Sequence, residues 1–265
     1  MRCKYCDARL AKHDLWCSNC GHQTQVVNKD LSAWASFKRT WQKCRELKGQ
    51  NVPAGALTIL ISVIPMLVLL YLLKGFGILD LAEIKDTGIL LLNLLIIFVV
   101  VTPFVGIFLL PFKAVAKAKG HLVRIRDIFG EFNHNPQYGL LAVISVLYFV
   151  VIYLICFGLP NFGSDPILRL VWLVLVNYFF AVFLPVPILM DRKQVNPWKA
   201  FRISYKYFHV VRWQMYLLAL ILAVLNTIAF FLVLVPMLIT IPLSWFAIRD
   251  YTDLVLEYEI IRETK

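Results

Sequence analysis

Apolar residues run along this chain in blocks too long for the core elements of a soluble domain. Near-continuous apolar stretches occupy residues 54–73, 88–110, 138–159 and 167–190, and a fifth runs from 213 to 248. Each reaches or exceeds the roughly 18 residues that mark a transmembrane helix. The fifth is too long for one crossing, since its 36 residues would make a helix of about 54 Å against a hydrocarbon core of about 30 Å. A break near residues 233–236, where Pro236 ends a helix, divides it into two short spans joined by a tight turn. A single kinked helix is the alternative, and it would move the C-terminus to the other side. The pattern predicts an all-α membrane protein with about six transmembrane helices.

Three segments ahead of the span pairs carry aromatic or aliphatic residues at helical spacing. They are Leu31, Trp34, Phe37 and Trp41; then Leu122, Ile125, Phe129 and Phe132; then Trp198, Phe201, Tyr205 and Phe208. Basic residues fill much of their other faces, the pattern of amphipathic helices lying in the membrane interface. An interfacial helix followed by a helical hairpin would then occur three times. The aromatic belt of any helix entering a membrane produces the same pattern without true repetition.

Composition agrees with the pattern, at 60% hydrophobic and 16% charged residues, against about 25% charged for a soluble domain. The 27 Lys and Arg exceed the 16 Asp and Glu, and their positions say why. Ten precede the first span, five follow the second (Lys113, Lys117, Lys119, Arg124, Arg126) and six follow the fourth (Arg192, Lys193, Lys199, Arg202, Lys206, Arg212). With Arg249, Arg262 and Lys265, 24 of the 27 fall on one side. Lys74, Lys85 and Arg169 are left on the other, beside Asp80, Glu83, Asp86 and Asp165. The positive-inside rule then places both termini in the cytosol. The basic excess reads as topology and contact with membrane lipids, and no nucleic acid is expected as a partner. The N-terminus lacks an apolar h-region, so no cleavable signal peptide is expected.

The spans hold few polar residues, among them Ser62, Asn93, Thr102, Asn177, Asn226, Thr227, Thr240 and Ser244. The three asparagines fall on different spans. They read first as interhelical hydrogen bonds, worth about 0.6–2 kcal/mol each, and second as a polar spot in a bundle cavity. The spans offer no Asp, Glu, His or Lys for a proton relay, and Arg169 is expected to snorkel to the interface. Pro65, Pro103, Pro111, Pro185, Pro187, Pro236 and Pro242 predict kinks. Asp250, Asp253, Glu257 and Glu259 read as a solvated tail helix. No Walker A loop, H-E-x-x-H, G-x-S-x-G or paired cytosolic carboxylates are present, so no enzyme is expected.

Chemistry concentrates at the N-terminus. Cys3, Cys6, Cys17 and Cys20 read C-x2-C-x10-C-x2-C, with Gly21 following. Two such knuckles supply the four sulfur ligands of a tetrahedral zinc site. A head of about 25 residues is too short for its own core, so a structural zinc ion would supply most of its folding free energy. A rubredoxin-like iron site would use the same ligands but lacks its aromatic core here. Two redox-active C-x2-C pairs lack a thioredoxin-type context. His13 and His22 are expected to be solvated, because four cysteines already close the site. Cys156 is expected to pack, and Cys44, near basic residues and the membrane surface, is a candidate for palmitoylation.

Two resemblances follow from motifs. The stretch 196–253 runs N-P-W-K-A-F-R-I-S-Y-K-Y, then a long apolar run, then I-P-L-S-W-F-A-I-R-D-Y, with R-I-R-D-I-F-G-E-F upstream. Over roughly residues 110–255 it resembles a group of bacterial six-span membrane families that includes the membrane domain attached to some glycerophosphodiester phosphodiesterases. These membrane domains have no assigned catalytic residues, and this chain lacks a phosphodiesterase domain. Residues 1–25 resemble the short zinc ribbons of many bacterial proteins. The expected organisation is a zinc ribbon (1–25), an amphipathic linker helix (26–53), a six-helix transmembrane domain (54–249) and a cytosolic tail (250–265). The expected function is non-enzymatic, an inner-membrane protein whose ribbon engages a protein partner, with lipid or amphiphile handling as the alternative.

Overall fold

The structure, a computed structural model, describes residues 2–3, 6–9, 17, 19–20, 32–79, 87–118, 120–131, 136–157, 166–232 and 235–257. Beyond the cysteine head, the described chain is helical: α1 Ala33–Glu46, α2 Lys48–Thr58, a π-helical turn Ile59–Val63, α3 Ile64–Gly75, α4 Thr87–Lys117, α5 Ile125–Gly130, α6 Pro136–Phe157, α7 Pro166–Phe183, α8 Val186–Lys193, α9 Pro197–Phe231 and α10 Met237–Glu257. Five helical stretches are long and apolar enough to cross a membrane: Lys48–Gly75, Leu91–Lys117, Pro136–Ile155, Pro166–Lys193 and Val211–Phe231. The sixth expected span, α10, is shorter. Its apolar part ends where Arg249 and Asp250 begin, after twelve residues, or about 18 Å of helix.

The prolines act unequally. Pro65 lacks the N–H that would bond the carbonyl of Ile61, and the π-turn just before it absorbs the mismatch. Pro185 stands at the break between α7 and α8, and Pro236 lies in the turn ahead of α10. Pro103, Pro111 and Pro242 lie inside continuous helices. Thr102 lends its hydroxyl to Phe98 O at 2.6 Å, a side-chain bond next to the donor that Pro103 cannot offer. Asn196 starts α9 by accepting the Lys199 amide at 2.8 Å, with Pro197 at the first position. Gln194 ends α8 in the left-handed region at φ 50°.

The break expected in 213–248 is present. Helix α9 ends at Phe231, and α10 runs back toward α1. Asp250 Oδ2 accepts from Ser36 Oγ (2.7 Å) and pairs with Arg39 (3.0 Å). Asp253 takes a bidentate pair from Arg192 at 2.9 Å for both bonds. These contacts correct the reading of Asp250 and Asp253 as a solvated tail: α10 continues unbroken to Glu257 and packs along its length. Asp250 and Asp253 are oriented by arginines from α1 and α8. Glu259 lies outside the described residues.

The core gathers at one end, around α10. Trp245, Phe246, Leu243 and Tyr251 are almost wholly buried there, where α10 packs on α1, α2, α9 and the end of α4. At the other extreme α3 has no buried residue. The packed end carries Lys113 and Lys117, both paired with Glu131, and we refer to it as the basic end. Gly55 on α2 lets that helix cross α10 closely, since a Cβ there would stand 2.5 Å from Leu238 O.

The interfacial segments differ from one another. In α1 the buried face is small, formed by Ala33, Ser36, Thr40 and Cys44, while Trp34 and Trp41 remain exposed and stack through Phe37. The second segment, α5, is only six residues long, with Ile125 and Phe129 exposed. The third is fused to a span as the first part of α9, ending at a kink where Val211 leaves helical geometry (φ −116°, ψ 25°). Leu31 and Phe132 lie outside the described residues.

Candidate metal centre and membrane cavities

The first knuckle is a tight turn. Cys3 N donates to Ala8 O at 2.9 Å, Asp7 N donates to Cys3 O at 3.0 Å, and Arg2 and Arg9 form an antiparallel bridge across its base. Asp7 adopts a positive φ of 57°. An aspartate tolerates this conformation better than most residues, so it does in this knuckle what glycine does elsewhere. Gly21, expected to serve the second knuckle, lies outside the described residues, as do His13 and His22.

All four expected ligands converge. The sulfurs of Cys3, Cys6, Cys17 and Cys20 lie within 4.8 Å of one another. The closest approaches run between knuckles, Cys3 to Cys20 at 3.5 Å and Cys6 to Cys17 at 3.4 Å. Zinc–sulfur bonds of about 2.3 Å at tetrahedral angles put sulfurs about 3.8 Å apart, so the cluster fits such an ion. These separations are far beyond the roughly 2.05 Å of a disulfide. Cys3 and Cys17 are buried. The Ala8 amide, followed by the Cys20 thiol, holds the Cys6 thiol below its ordinary value, which favours the thiolate a metal requires. Four cysteines could therefore hold a metal ion, and with all four engaged the site has no open coordination position.

Cys44 is 6% exposed, and burial pushes its thiol up to about 12. A neutral, enclosed thiol is a poor acylation target, which argues against palmitoylation. Cys156 falls in α6, with its side chain outside the described atoms.

The asparagines do not share one polar spot. Asn226 donates to Leu222 O and Ser244 Oγ, both at 2.8 Å, and accepts from Thr240 Oγ1 at 2.9 Å, tying α9 to α10. Asn177 donates to Tyr216 O at 3.2 Å, tying α7 to α9. Two apolar cavities flank the bundle. One of about 510 Å³ is lined by Phe108, Phe180, Leu222, Asn226, Phe230 and Trp245. Another of about 480 Å³ is lined by Asn93, Ile97, Val101, Ser145 and Phe149. Arg169 is exposed at the start of α7, as snorkelling requires.

One buried polar cluster was not legible in the sequence. Arg249, 6% exposed, donates to Val115 O (2.9 Å), Ala118 O (3.2 Å) and Gly120 O, capping the C-terminus of α4. Its guanidinium also lies 5.0 Å from the Phe246 ring centre. Asn51 holds the following loop, donating to His121 O at 2.9 Å and accepting from Val123 N at 3.3 Å. Burial first, then Arg249 and Lys43, push the His121 imidazole down to about 4, so it is neutral at physiological pH. Arg249 and Asn51 thus hold the end of α4 and the loop after it through backbone groups.

Fold and site together define a helical membrane protein with a four-cysteine, metal-competent head. Among the protein families, curated proteins and solved structures compared with this chain, none matches it.

Proposed function

We propose that this is a non-enzymatic membrane adaptor, in which a zinc ion held by Cys3, Cys6, Cys17 and Cys20 shapes a small ribbon that docks a protein partner. The convergence of the four thiols carries this reading. A closed four-sulfur site has no position for substrate, so its role is to fold the segment that holds it. The zinc stabilises a surface, and the bundle anchors that surface at the membrane. The charge distribution supports placing the head and both termini in the cytosol, where thiols stay reduced. The resemblances to bacterial six-span membrane domains and zinc ribbons support a bacterial inner membrane as its location.

The test uses the full chain released from membranes and weighed intact. The wild type is expected to carry one zinc ion and a stoichiometric protein partner. The Cys17→Ser/Cys20→Ser variant should insert normally and lose both. Unchanged partner capture without the metal would sink the adaptor reading.

The two cavities favour a second reading, the handling of lipids or other amphiphiles by the bundle. Each lies within the size range of small-molecule sites and is walled mostly by apolar side chains, with one asparagine and one or two hydroxyl side chains. In the same experiment this reading predicts one retained lipid class and no protein partner.

A further inference from the structure

The cytosolic reading of the basic residues treats them as a diffuse field, yet one of them stands over a groove. Ile144 of α6, Val182 of α7 and Trp198, Phe201, Arg202 and Tyr205 of α9 enclose a cleft of about 320 Å³. Among the described residues, Arg202 is the only charged one lining it. Its guanidinium lies 5.9 Å from the Trp198 ring centre, and it joins no ion pair among the described residues. Stacking on an aromatic face leaves the in-plane N–H donors of arginine available, and that fork matches the oxygens of a phosphate.

The surroundings select the sign and the class of the occupant. Residues 197–210 contain Lys199, Arg202 and Lys206 and no Asp or Glu. At spacings of three and four, these three cations share one side of the helix, and all three are exposed. The cleft also bridges two depths. Trp198 and Tyr205 are exposed on the interfacial part of α9, before the kink at Val211. Ile144 and Val182 belong to helices long and apolar enough to span. A ligand filling the groove therefore needs an anionic group at the interface and an apolar chain running inward.

We propose that this groove holds one anionic phospholipid of the leaflet at the basic end. Its phosphate sits on Arg202, with Lys199 and Lys206 adding attraction, and one acyl chain lies along Phe201, Val182 and Ile144. The site stands apart from the cysteine head and from both larger cavities, and it does not depend on the adaptor reading.

The test reconstitutes the full chain in phosphatidylcholine vesicles containing either brominated phosphatidylglycerol or brominated phosphatidylcholine. Chain-bound bromine quenches a tryptophan it touches. The difference between wild type and Trp198→Phe isolates the signal of Trp198. The anionic lipid should quench Trp198 about fivefold more effectively than the neutral one, the factor that corresponds to about 1 kcal/mol for a basic residue at an anionic surface. Arg202→Gln should bring the ratio near one, and Arg202→Lys should retain part of the preference. Equal quenching by the two lipids in the wild type overturns the proposal, as does a preference that survives Arg202→Gln. If Arg202→Gln does not reconstitute, a salt series on the wild type decides. A preference unchanged at about 0.5 M salt is not electrostatic and overturns the site. Absence of quenching by either lipid, with a dimeric mass, would assign the groove to a second copy of the chain.

Discussion

Arg249 and the four cysteines show what one residue reveals on its own and what it conceals. The cysteines are legible because their chemistry is local: ligands two residues apart fall on one turn, and two such turns close one tetrahedron. Arg249 is different. Its acceptors lie 129 to 134 residues earlier in the chain, and by sequence it reads as one more cation beyond a span. In the fold it supplies donors to backbone carbonyls at the end of α4 that no helical amide reaches. Arg249→Met would keep most of the volume and the contact with Phe246 while leaving those acceptors buried and unpaired. Each lost bond from a charged donor counts for about 1.5–3 kcal/mol, and the carbonyls relax in part, so a net loss of about 2–4 kcal/mol is expected. Arg249→Lys should recover less than half, because an ammonium cannot present a planar fork to several carbonyls. Thermal unfolding of the detergent-solubilised protein checks both, and an Arg249→Met variant as stable as wild type would contradict the capping role.

Helices were the most legible level, and their interruptions the least. Apolar runs located five full crossings because length alone sets the requirement in a bilayer. Proline positions did not predict which helices break, since that depends on what fills the gap: a π-turn before Pro65, and no break at Pro103 beside the Thr102 hydroxyl. The face of α1 was also hidden. Its aromatic stripe marked only the side toward the membrane interface; helices in contact need small residues for close approach, and the Ala33, Ser36, Thr40 and Cys44 side is the one that packs. The same rule applies where α2 meets α10. A Cβ at Gly55 would fall 2.5 Å from Leu238 O and 3.1 Å from the Pro242 ring. Neither neighbour is a flexible tip, so Gly55→Ala should cost about 1–3 kcal/mol through overpacking. Gly106→Ala provides the comparison, because its Cβ would meet only Ala142 Cβ at 3.7 Å. That variant should be neutral or slightly more stable, as alanine replaces glycine inside a helix. Equal effects at the two positions in parallel melts would mean that the α2–α10 crossing is looser than described.

At the scale of the molecule, the question left open by the sequence was whether the last apolar run crosses once or returns. The return is carried by long-range pairs. Arg39 and Ser36 of α1, Arg192 of α8 and the carbonyls at the end of α4 all meet α10 between Arg249 and Asp253. The end of α10 therefore lies at the same end of the bundle as α1, and α9 and α10 form a hairpin. Charge alone could not decide this, because a 36-residue apolar run carries no cation to mark a side. The hairpin tip is apolar, with Phe231 and Val235 exposed at 77% and 67%, and α10 brings only about 18 Å of apolar helix to its return. Such a short segment requires local thinning of the bilayer or a tip drawn inward from the surface. Single cysteines report the geometry. Lys193→Cys, at the basic end, should react with a membrane-impermeant maleimide from the side that carries the head. Val235→Cys should react only from the opposite side, and more slowly, because its apolar surroundings hold it near the hydrocarbon boundary. Labelling of both positions from the head side would mean that the hairpin does not cross, and the chain would then pass through the membrane an even number of times before α10.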